Sequence, residues 1–409
     1  MTSFIIEHQC PQCGAPAELD ETDRLFQCGY CRVNSYLSTP KFFRYLIPHN
    51  APTGKDIIYF PYWRFKGMFF SCLARSIEKR FLDVSQQALK SSHFPINIGF
   101  RGQTQKLRFA STQNGASFIR PQLPFKTALT GWTRQYSAKL REPVLHQDFI
   151  GETLSLIYAP FYIEKKVMDG VLNKPASTLS ADQIESGLLQ TDTPHWPITF
   201  LATLCPKCGW DLTGSRDCLA LNCTNCQTVW WAKSAKLEQL RTAHIPPADD
   251  HCVYLPFWRI QADVGPIALK NYADLVKVAN LPKMVQPGWD RQPFYFWNPA
   301  FKVRPQSYLT IANNVTLNQP EKSLSPGQPK AQLHAVNLPL SEAVESLKLL
   351  VANFMKPIEH RSDLVPQIHI KARRFLLVYI PFKDGHHELI QPELNLAVNK
   401  NMLAHARNL

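Results

Sequence analysis

Stretches in which apolar residues are mixed with β-branched and aromatic ones recur along the chain and predict β-strands. The clearest are YFPYWRFKGMFF, LSLIYAPFYIEKK and RRFLLVYIPF, and the pairs Asp169-Gly170 and Asp384-Gly385 offer hairpin turns behind the last two. Each of these strands has a proline in its interior. Proline has no N–H to donate to a neighbouring strand, so we expect these strands to lie at sheet edges or to carry bulges.

Two further segments have the apolar spacing of an amphipathic helix. The apolar positions are Leu129, Trp132, Tyr136 and Leu140 in the first segment and Val344, Leu347, Val351 and Phe354 in the second. Ser341 followed by Glu342 is a suitable helix start, because a carboxylate is favourable in the first turn. We therefore predict an α+β fold in which each helix covers one face of a small antiparallel sheet.

A ladder of four cysteines precedes each set of these elements. The ladders are Cys10, Cys13, Cys28 and Cys31 in CPQCGAPAELDETDRLFQCGYC, and Cys205, Cys208, Cys223 and Cys226 in CPKCGWDLTGSRDCLALNCTNC. Two Cys-x-x-Cys pairs separated by a hairpin-sized spacer are typical of a four-thiolate zinc site. Gly14 and Gly209 follow the second cysteine of each ladder and relieve the turn beside the sulfur. We therefore predict two zinc ribbons with structural ions, because four thiolates leave no open position for a reacting water.

The order of elements behind each ladder is the same. YFPYWRF is matched by YLPFWRI, GFRGQTQKLRFA by PAFKVRPQSYLTIA with Phe100 opposite Phe301, LPFKTALTGWTRQYSAKL by LPLSEAVESLKLLVANFM, and IYAPFYI by VYIPFKD. The separation between the copies grows along the chain, as insertions into the loops of a duplicated unit require. We therefore predict two tandem modules, with a ribbon at residues 1–39, an α+β module at 40–196, a second ribbon at 197–233 and a second module at 234–409.

Three cysteines, Cys72, Cys218 and Cys252, stand outside the Cys-x-x-Cys pairs. Free cysteine is among the most buried residue types, so we expect buried thiols at these positions. Cys218 lies inside the second ladder and could replace Cys223 as a ligand, although the matched spacing of the first ladder favours Cys223.

The Pro-aromatic-Trp-Arg element behind each ladder allows two interpretations. An apolar strand with one Trp is typical of a core, whereas exposed rings would form an aromatic binding surface. Arg64 and Arg259 could stack on the neighbouring Trp or pair with a carboxylate.

The formal net charge of +13 favours an anionic partner, which could be an acidic protein, a nucleic acid or an anionic membrane surface. From Val84 to Arg141 the chain has no Asp or Glu, and aromatic residues are interleaved with its cations. The candidate anion or nucleic-acid contacts in this stretch are Arg101, Lys106, Arg108, Arg120, Lys126, Arg134, Lys139 and Arg141. Nucleic-acid binding is therefore an alternative function, with cations on phosphates and rings on unpaired bases.

Motifs for enzymatic chemistry are incomplete. NAPTGKD lacks the upstream Gly of a phosphate loop, GHHEL lacks the second His of a zinc-protease motif, and neither a dinucleotide fingerprint nor a nucleophile elbow occurs. The most apolar runs are broken by Pro, Arg and Lys short of a membrane span, and the N-terminal residues have no secretory signal. We therefore expect a non-enzymatic cytoplasmic protein without a small-molecule substrate.

A cysteine ladder followed by YFPYWR or YLPFWR resembles bacterial tandem zinc-ribbon proteins whose ribbons are of the primosomal-helicase-like or transcription-factor-like type. The resemblance extends over the eight cysteines and the two Tyr-x-Pro-aromatic-Trp strands. It implies non-enzymatic cytoplasmic adaptors, some of them associated with membrane-stress or membrane-remodelling machinery. Protein-protein contact by an adaptor or scaffold, in a cytoplasmic or membrane-peripheral complex, is therefore the function we expect, with nucleic-acid binding as the alternative.

Overall fold

The computed structural model describes residues 4–39, 42–99, 101, 106–111, 116–184, 190–192, 198–233, 235–247, 251–320 and 323–406. This part of the chain has a mixed α+β fold that consists mostly of β-sheet, with few helices. The expected boundaries at residues 40 and 196–197, and the position of Phe100, lie outside the described residues.

The first half of the chain contains fourteen strands and one α-helix among its described residues. They are β1 (Ile5–Gln9), β2 (Pro16–Asp20), β3 (Leu25–Gln27), β4 (Asn34–Ser38), β5 (Phe43–Leu46), β6 (Ile58–Leu73), β7 (Ile77–Gln87), β8 (Leu107–Phe109), β9 (Ser117–Ile119), α1 (Phe125–Ser137), β10 (Val144–Ile163), β11 (Lys166–Asp169), β12 (Pro175–Ser180), β13 (Thr191–Asp192) and β14 (Thr199–Ala202). A short 3-10 helix at Ala181–Gln183 follows β12.

The second half has twelve strands and six short α-helices in its described part. They are β15 (Leu212–Thr213), β16 (Ala220–Cys223), β17 (Thr228–Lys233), β18 (Lys236–Leu240), β19 (Thr242–His244), β20 (Cys252–Gly265), α2 (Tyr272–Val278), β21 (Phe296–Pro299), α3 (Pro305–Asn318), β22 (Ser325–Pro326), β23 (Gln332–Leu333), α4 (Leu340–Glu345), α5 (Leu347–Phe354), α6 (Arg361–Leu364), β24 (His369–Asp384), β25 (Glu388–Gln391), β26 (Leu396–Asn399) and α7 (Lys400–His405). Three 3-10 helices lie at Ile358–His360, Val365–Gln367 and Pro392–Leu394. Among the described residues, no helix has both the length and the apolar character needed to cross a membrane.

The chain divides into two compact units that are not continuous in sequence. The first unit comprises Met1–Lys66, Leu82–Lys139 and Glu152–Ala202. The second comprises Gly67–Phe81, Leu140–Gly151 and Thr203–Leu409. The long strands β6 and β10 therefore each contribute residues to both units.

The strands from the first half of the chain form one sheet of eleven strands and one of three. The larger sheet has the order β13-β9-β6-β10-β5-β8-β1-β2, with β7, β11 and β12 attached to this path, and the smaller has the order β14-β4-β3. Strands β10 and β5, β6 and β9, and β1 and β8 pair in parallel. The hairpin β1–β2 of the first cysteine ladder thus extends the larger sheet.

The strands from the second half form a sheet of eight strands and one of four. The larger has the order β21-β20-β24-β19-β22, with β23, β25 and β26 attached, and the smaller is β15-β16-β17-β18. Here β19 and β24, and β20 and β23, pair in parallel. The expectation of small antiparallel sheets is therefore wrong, because both large sheets are mixed. Parallel neighbours need a long crossover, and the alternation within a strand does not show which distant strand it will meet.

The proline-bearing strands lie inside their sheets, so the predicted edge position is wrong. The predicted alternative, a bulge, occurs between β20 and β24, where the register shifts between Gln261 and Ala262, away from Pro256. The carbonyl of Pro256 accepts a hydrogen bond from the amide of Ala300 at 2.9 Å. The hydrogen-bonding side of this residue's backbone therefore points away from the neighbouring strand β24. On that side, pairing with β23 ends at Tyr254 and pairing with β21 begins at Phe257. Pro381 likewise lies between the parts of β24 that pair with β19 and with β25. A proline placed where one neighbouring strand is replaced by another leaves no ladder bond unmade.

The two Trp residues of the repeated element belong to the cores of their units. Trp63 and Trp258 are both buried. Trp63 Nε1 donates to the carbonyl of Leu123 at 2.8 Å, and Trp258 Nε1 donates to that of Leu338 at 3.0 Å. Of the two interpretations of this element, the structure supports a core strand, since each ring is buried and its N–H is satisfied.

Both predicted helical segments form helices, but the second is divided. Helix α1 ends before Leu140, and the segment around Val351 forms α4 and α5, which meet at Ser346. The Ser346 hydroxyl is buried between Tyr308 Oη at 2.9 Å and Asn298 Nδ2 at 3.1 Å. This polar contact inside the core accompanies the break in the helix.

The proposed match between GFRGQTQKLRFA and PAFKVRPQSYLTIA is wrong. Residues Leu107–Phe109 form strand β8, whereas Pro305–Asn318 form helix α3. The same backbone hydrogen bond is made instead by Ala88 and Ala300. The amide of Ala88 donates to the carbonyl of Pro61, and the amide of Ala300 donates to that of Pro256. Similarity in the spacing of Phe and Arg is not enough to align two loops of different length.

Candidate metal centres

The four cysteines of the first ladder come together at one end of two short hairpins. Their sulfur atoms all lie within 4.8 Å of one another. The shortest separations are 3.8 Å between Cys10 and Cys31 and 3.7 Å between Cys13 and Cys28. Cys10 and Cys28 are buried, Cys31 is half-buried and Cys13 is exposed. The protein core therefore covers the site on the side of Cys10 and Cys28, and the site is open to solvent at Cys13.

The second ladder forms the same arrangement within the second unit. Cys205 and Cys226 have their sulfurs 3.6 Å apart, and Cys208 and Cys223 have theirs 3.5 Å apart. The order of burial along this ladder is the same as in the first. Cys218 is buried outside the cluster, beside Gly214, so the fourth position belongs to Cys223.

The first Cys-x-x-Cys pair of each ladder is closed by a tight backbone turn, and the glycine that follows the pair has a left-handed backbone conformation. Gly14 has φ +73° and donates its amide to the carbonyl of Cys10 at 2.9 Å, and Gly209 has φ +72° and bonds Cys205 at 2.8 Å. Glycine adopts this conformation without the steric cost that a side chain would bring. The glycines therefore serve the turn, as expected from the sequence.

The thiols of a ladder differ in acidity. The backbone amides of Cys31 and Tyr30 face the sulfur of Cys28 and lower its pKa to about 6. In the second ladder, the backbone amide of Trp210 lowers the pKa of Cys208, whereas burial and the neighbouring sulfur of Cys208 raise the pKa of Cys223 to about 12. Four adjacent thiolates repel one another, so a cluster of this kind ionises fully only when a cation shares its charge. Both groups of four cysteines could hold one metal ion each.

Thr228 is a residue of the second site that the spacing of cysteines does not reveal. Its hydroxyl lies 3.0 Å from the sulfur of Cys226 and 3.8 Å from that of Cys205, and Trp230 Nε1 donates to it at 2.9 Å. A hydroxyl that receives a hydrogen bond can donate its own proton to a ligand sulfur and hold it in place. The corresponding residue after the first ladder is Val33, which has no such group.

The candidate anion contacts of the acid-free stretch do not remain free of acids in the folded chain. Arg101 pairs with Asp169, Lys106 pairs with Glu18, and Arg108 pairs with Glu7 at 3.1 Å. The other five, Arg120, Lys126, Arg134, Lys139 and Arg141, are exposed. Arg141 belongs to the second unit and the other candidates to the first. Carboxylates from other parts of the chain thus neutralise three of the eight cations.

The two arginines of the Trp-Arg elements have different partners. Arg64 forms ion pairs with Glu21 at 3.2 Å and with Asp83 at 3.1 Å. Arg259 instead lies over the ring of Tyr295, with its guanidinium carbon 4.4 Å from the ring centroid. Arg64 also lies over the ring of Phe4, with its guanidinium carbon 3.9 Å from the ring centroid, so both arginines stack on a ring other than the neighbouring Trp, and Arg64 pairs with carboxylates as well.

Comparison with known protein families, with curated proteins and with solved structures gave no match.

Proposed function

We propose that this protein is a non-enzymatic adaptor built from two tandem modules, each held by one structural zinc ion. It joins other proteins in a cytoplasmic or membrane-peripheral complex.

Zinc is supported by the ligand set and by the separation of the sulfurs. The closest sulfurs in the two clusters are 3.5 to 3.8 Å apart. A tetrahedral ion with metal–sulfur bonds of about 2.3 Å separates its ligands by about 3.8 Å. A disulfide would bring two sulfurs to about 2.05 Å instead. Four thiolates fill the coordination sphere, so the ion stabilises the ribbon and has no position for a substrate.

Tandem modules are supported by matching strand pairs and matching hydrogen bonds. The parallel pairs β5–β10 and β6–β9 of the first unit have counterparts in β19–β24 and β20–β23 of the second. The bond from Trp63 to Leu123 has a counterpart in the bond from Trp258 to Leu338. In each unit this bond connects the Pro-Trp strand to the residue before the proline that precedes α1 or α4. Two units of unrelated origin would not be expected to share both the strand pairing and this hydrogen bond.

The observation that carries the adaptor function is the exposure of large apolar side chains beside both metal clusters. Tyr30 lies between two ligands of the first ribbon and is 72% exposed, and Trp210 follows a ligand of the second and is 57% exposed. Val33 and Leu204, which also flank the ladders, are exposed as well. Aromatic side chains held on a rigid support are the residues that most often dominate binding between proteins. The metal would fix the backbone on which these side chains stand.

The alternative function of the stretch from Val84 to Arg141 has less support. Three of its cations, Arg101, Lys106 and Arg108, are already paired with carboxylates of the chain. A phosphate backbone would have to displace these carboxylates. We therefore prefer a protein partner for the ribbons.

The adaptor is tested with the full-length tagged protein in nuclease-treated lysate, comparing wild type with the double variant Tyr30→Ala/Trp210→Ala. The matched control is Ile96→Ala/Leu172→Ala, which removes two exposed apolar side chains away from the ladders. We expect wild type and control to retain one stoichiometric protein that the ribbon variant loses, while all three hold about two zinc ions per chain. Retention of no protein after the nuclease treatment, or equal retention by all three proteins, would contradict the proposal.

A further inference from the structure

A groove of about 830 Å³ opens in the second unit between ribbon strands β17 and β18 and the long strands β20 and β24. One side of it is aromatic. The ring of Trp231 lies 5.9 Å from that of Phe375, and both pack against the buried Trp258, at 6.4 and 6.2 Å. Phe375 is 42% exposed. Part of the Phe375 ring is therefore exposed to the groove.

Cations predominate around this groove. The lining cations are Lys233, Arg241, Arg259, Arg373 and Arg374. Glu238 pairs with Lys233 at 3.5 Å, and Asp263 pairs with Arg373. Among the described residues, the remaining three arginines have no carboxylate partner. The groove therefore has an excess of positive charge that the protein itself does not neutralise.

Arg259 shows most clearly that a partner is missing. Its counterpart in the first unit, Arg64, is neutralised by Glu21 and Asp83. Arg259 instead lies over the rings of Tyr295 and Trp297, at 4.4 and 5.9 Å, and its Nε is buried without a hydrogen-bond acceptor among the described residues. A buried guanidinium donor without an acceptor is unfavourable. An anion in the groove would remove this cost.

We propose that this groove binds single-stranded nucleic acid. Arg241, Arg259 and Arg374 contact the phosphates, while the rings of Phe375 and Trp231 stack on unpaired bases. Cations interleaved with exposed rings form the surface that single strands use, because every base has a flat face and every link a charge. A run of acidic side chains would pair with the arginines but would leave the rings of Phe375 and Trp231 uncovered, whereas a single strand covers both. The site contains none of the residues between Val84 and Arg141.

This inference does not rest on the adaptor function. The adaptor is judged by retention of a protein after nuclease treatment and by changes at the ribbon knuckles. The groove is judged by direct titration of the purified protein, so either proposal can fail while the other stands.

The test is fluorescence anisotropy of the full-length, zinc-containing protein with labelled single strands of ~12 nucleotides, one of DNA and one of RNA, from about 50 mM salt upward. We expect Phe375→Ala to weaken binding roughly tenfold, because one stacked base is lost. Phe375→Leu, which keeps the apolar bulk, should weaken it similarly. The double variant Arg241→Gln/Arg374→Gln should lower the slope of log affinity against log salt by about 1.4, as expected for two released counterions on a single strand.

The control variant is Lys165→Gln/Lys174→Gln, which removes two exposed cations from the first unit and should leave binding unchanged. Zinc content and thermal unfolding of each variant confirm that it is folded. Preference for one of the two strands identifies DNA or RNA as the ligand. The inference is overturned by absence of binding at low salt, or by equal weakening in the control. It is also overturned if polyglutamate competes as well as the strand and Phe375→Ala has no effect, which would indicate an acidic protein segment.

Discussion

At the scale of single residues, the first unit contains a buried charge cluster around Glu21. This carboxylate lies 3.1 Å from Lys66 Nζ and 3.2 Å from Arg64 Nε, and the three side chains are at most 7% exposed. Asp83 supplies a second negative charge to the arginine. Ions removed from water are stable only while each keeps its counter-charge. The arrangement joins the first ribbon, which contains Glu21, to the Pro-Trp strand β6.

Glu21→Gln should therefore lower the free energy of unfolding of the first unit by about 3–5 kcal/mol, because two buried cations lose their shared carboxylate. Urea unfolding followed by fluorescence measures this change. The control is Glu18→Gln, whose pair with Lys106 is exposed to solvent and contributes at most about 1 kcal/mol. Similar midpoints for the two variants would show that the buried pair is not important for stability.

The two clusters of four cysteines could be predicted from the sequence, whereas this charge cluster could not. A Cys-x-x-Cys knuckle is local, so the spacing of Cys10 and Cys13 already fixes how both sulfurs meet one ion. Glu21 and Lys66 are far apart in sequence, and only the folded sheet shows that they touch. The same limit applies to Thr228, whose role depends on the rotation of one hydroxyl toward Cys226.

At the scale of elements, the strands were predicted correctly as strands, but their neighbours were not. YFPYWRFKGMFF and YLPFWRI form β6 and β20, as their aromatic and β-branched residues indicate. Their prolines indicated edge strands by the general rule. The rule assumes that the missing N–H of proline would have bonded to a neighbouring strand. Here Pro256 stands where one neighbouring strand ends and the next begins, so no such bond is lost. That coincidence depends on the lengths of β21 and β23, which no local pattern specifies.

The second ribbon should depend on Cys223 and not on Cys218. Cys223→Ser should reduce the metal content from about two zinc ions per chain to about one and increase hydrogen exchange in β15 to β17, because the binding energy of the ion is folding energy. Cys218→Ser, a substitution of nearly the same size at a buried position in the same ribbon, should leave about two ions bound. Elemental analysis and exchange mass spectrometry report the two effects. Loss of zinc from the Cys218 variant alone would reassign the fourth ligand.

At the scale of the whole molecule, the order of segments along the chain was easier to predict than the units that they form. The sequence predicted four consecutive parts. The second unit nevertheless includes Gly67–Phe81 and Leu140–Gly151, which come from within the first predicted module. Strand β6 continues through Lys66 and Gly67 with buried residues on both sides, so the strand itself gives no sign that its residues pass from one core to another.

A core substitution in β6 should therefore act on the unit to which its residue belongs. Phe70 is fully buried in the core of the second unit, with its ring 6.1 Å from that of Tyr308 in α3. Phe70→Ala should cost about 3–5 kcal/mol and accelerate amide exchange in α3, although the two segments are distant in sequence. Phe60→Ala, ten positions earlier in the same strand and equally buried, should instead accelerate exchange in the part of β10 from 152 to 163, because Phe60 packs on Phe161. If both substitutions accelerated the same peptides, the chain would have one cooperative core, and the division within β6 would be wrong.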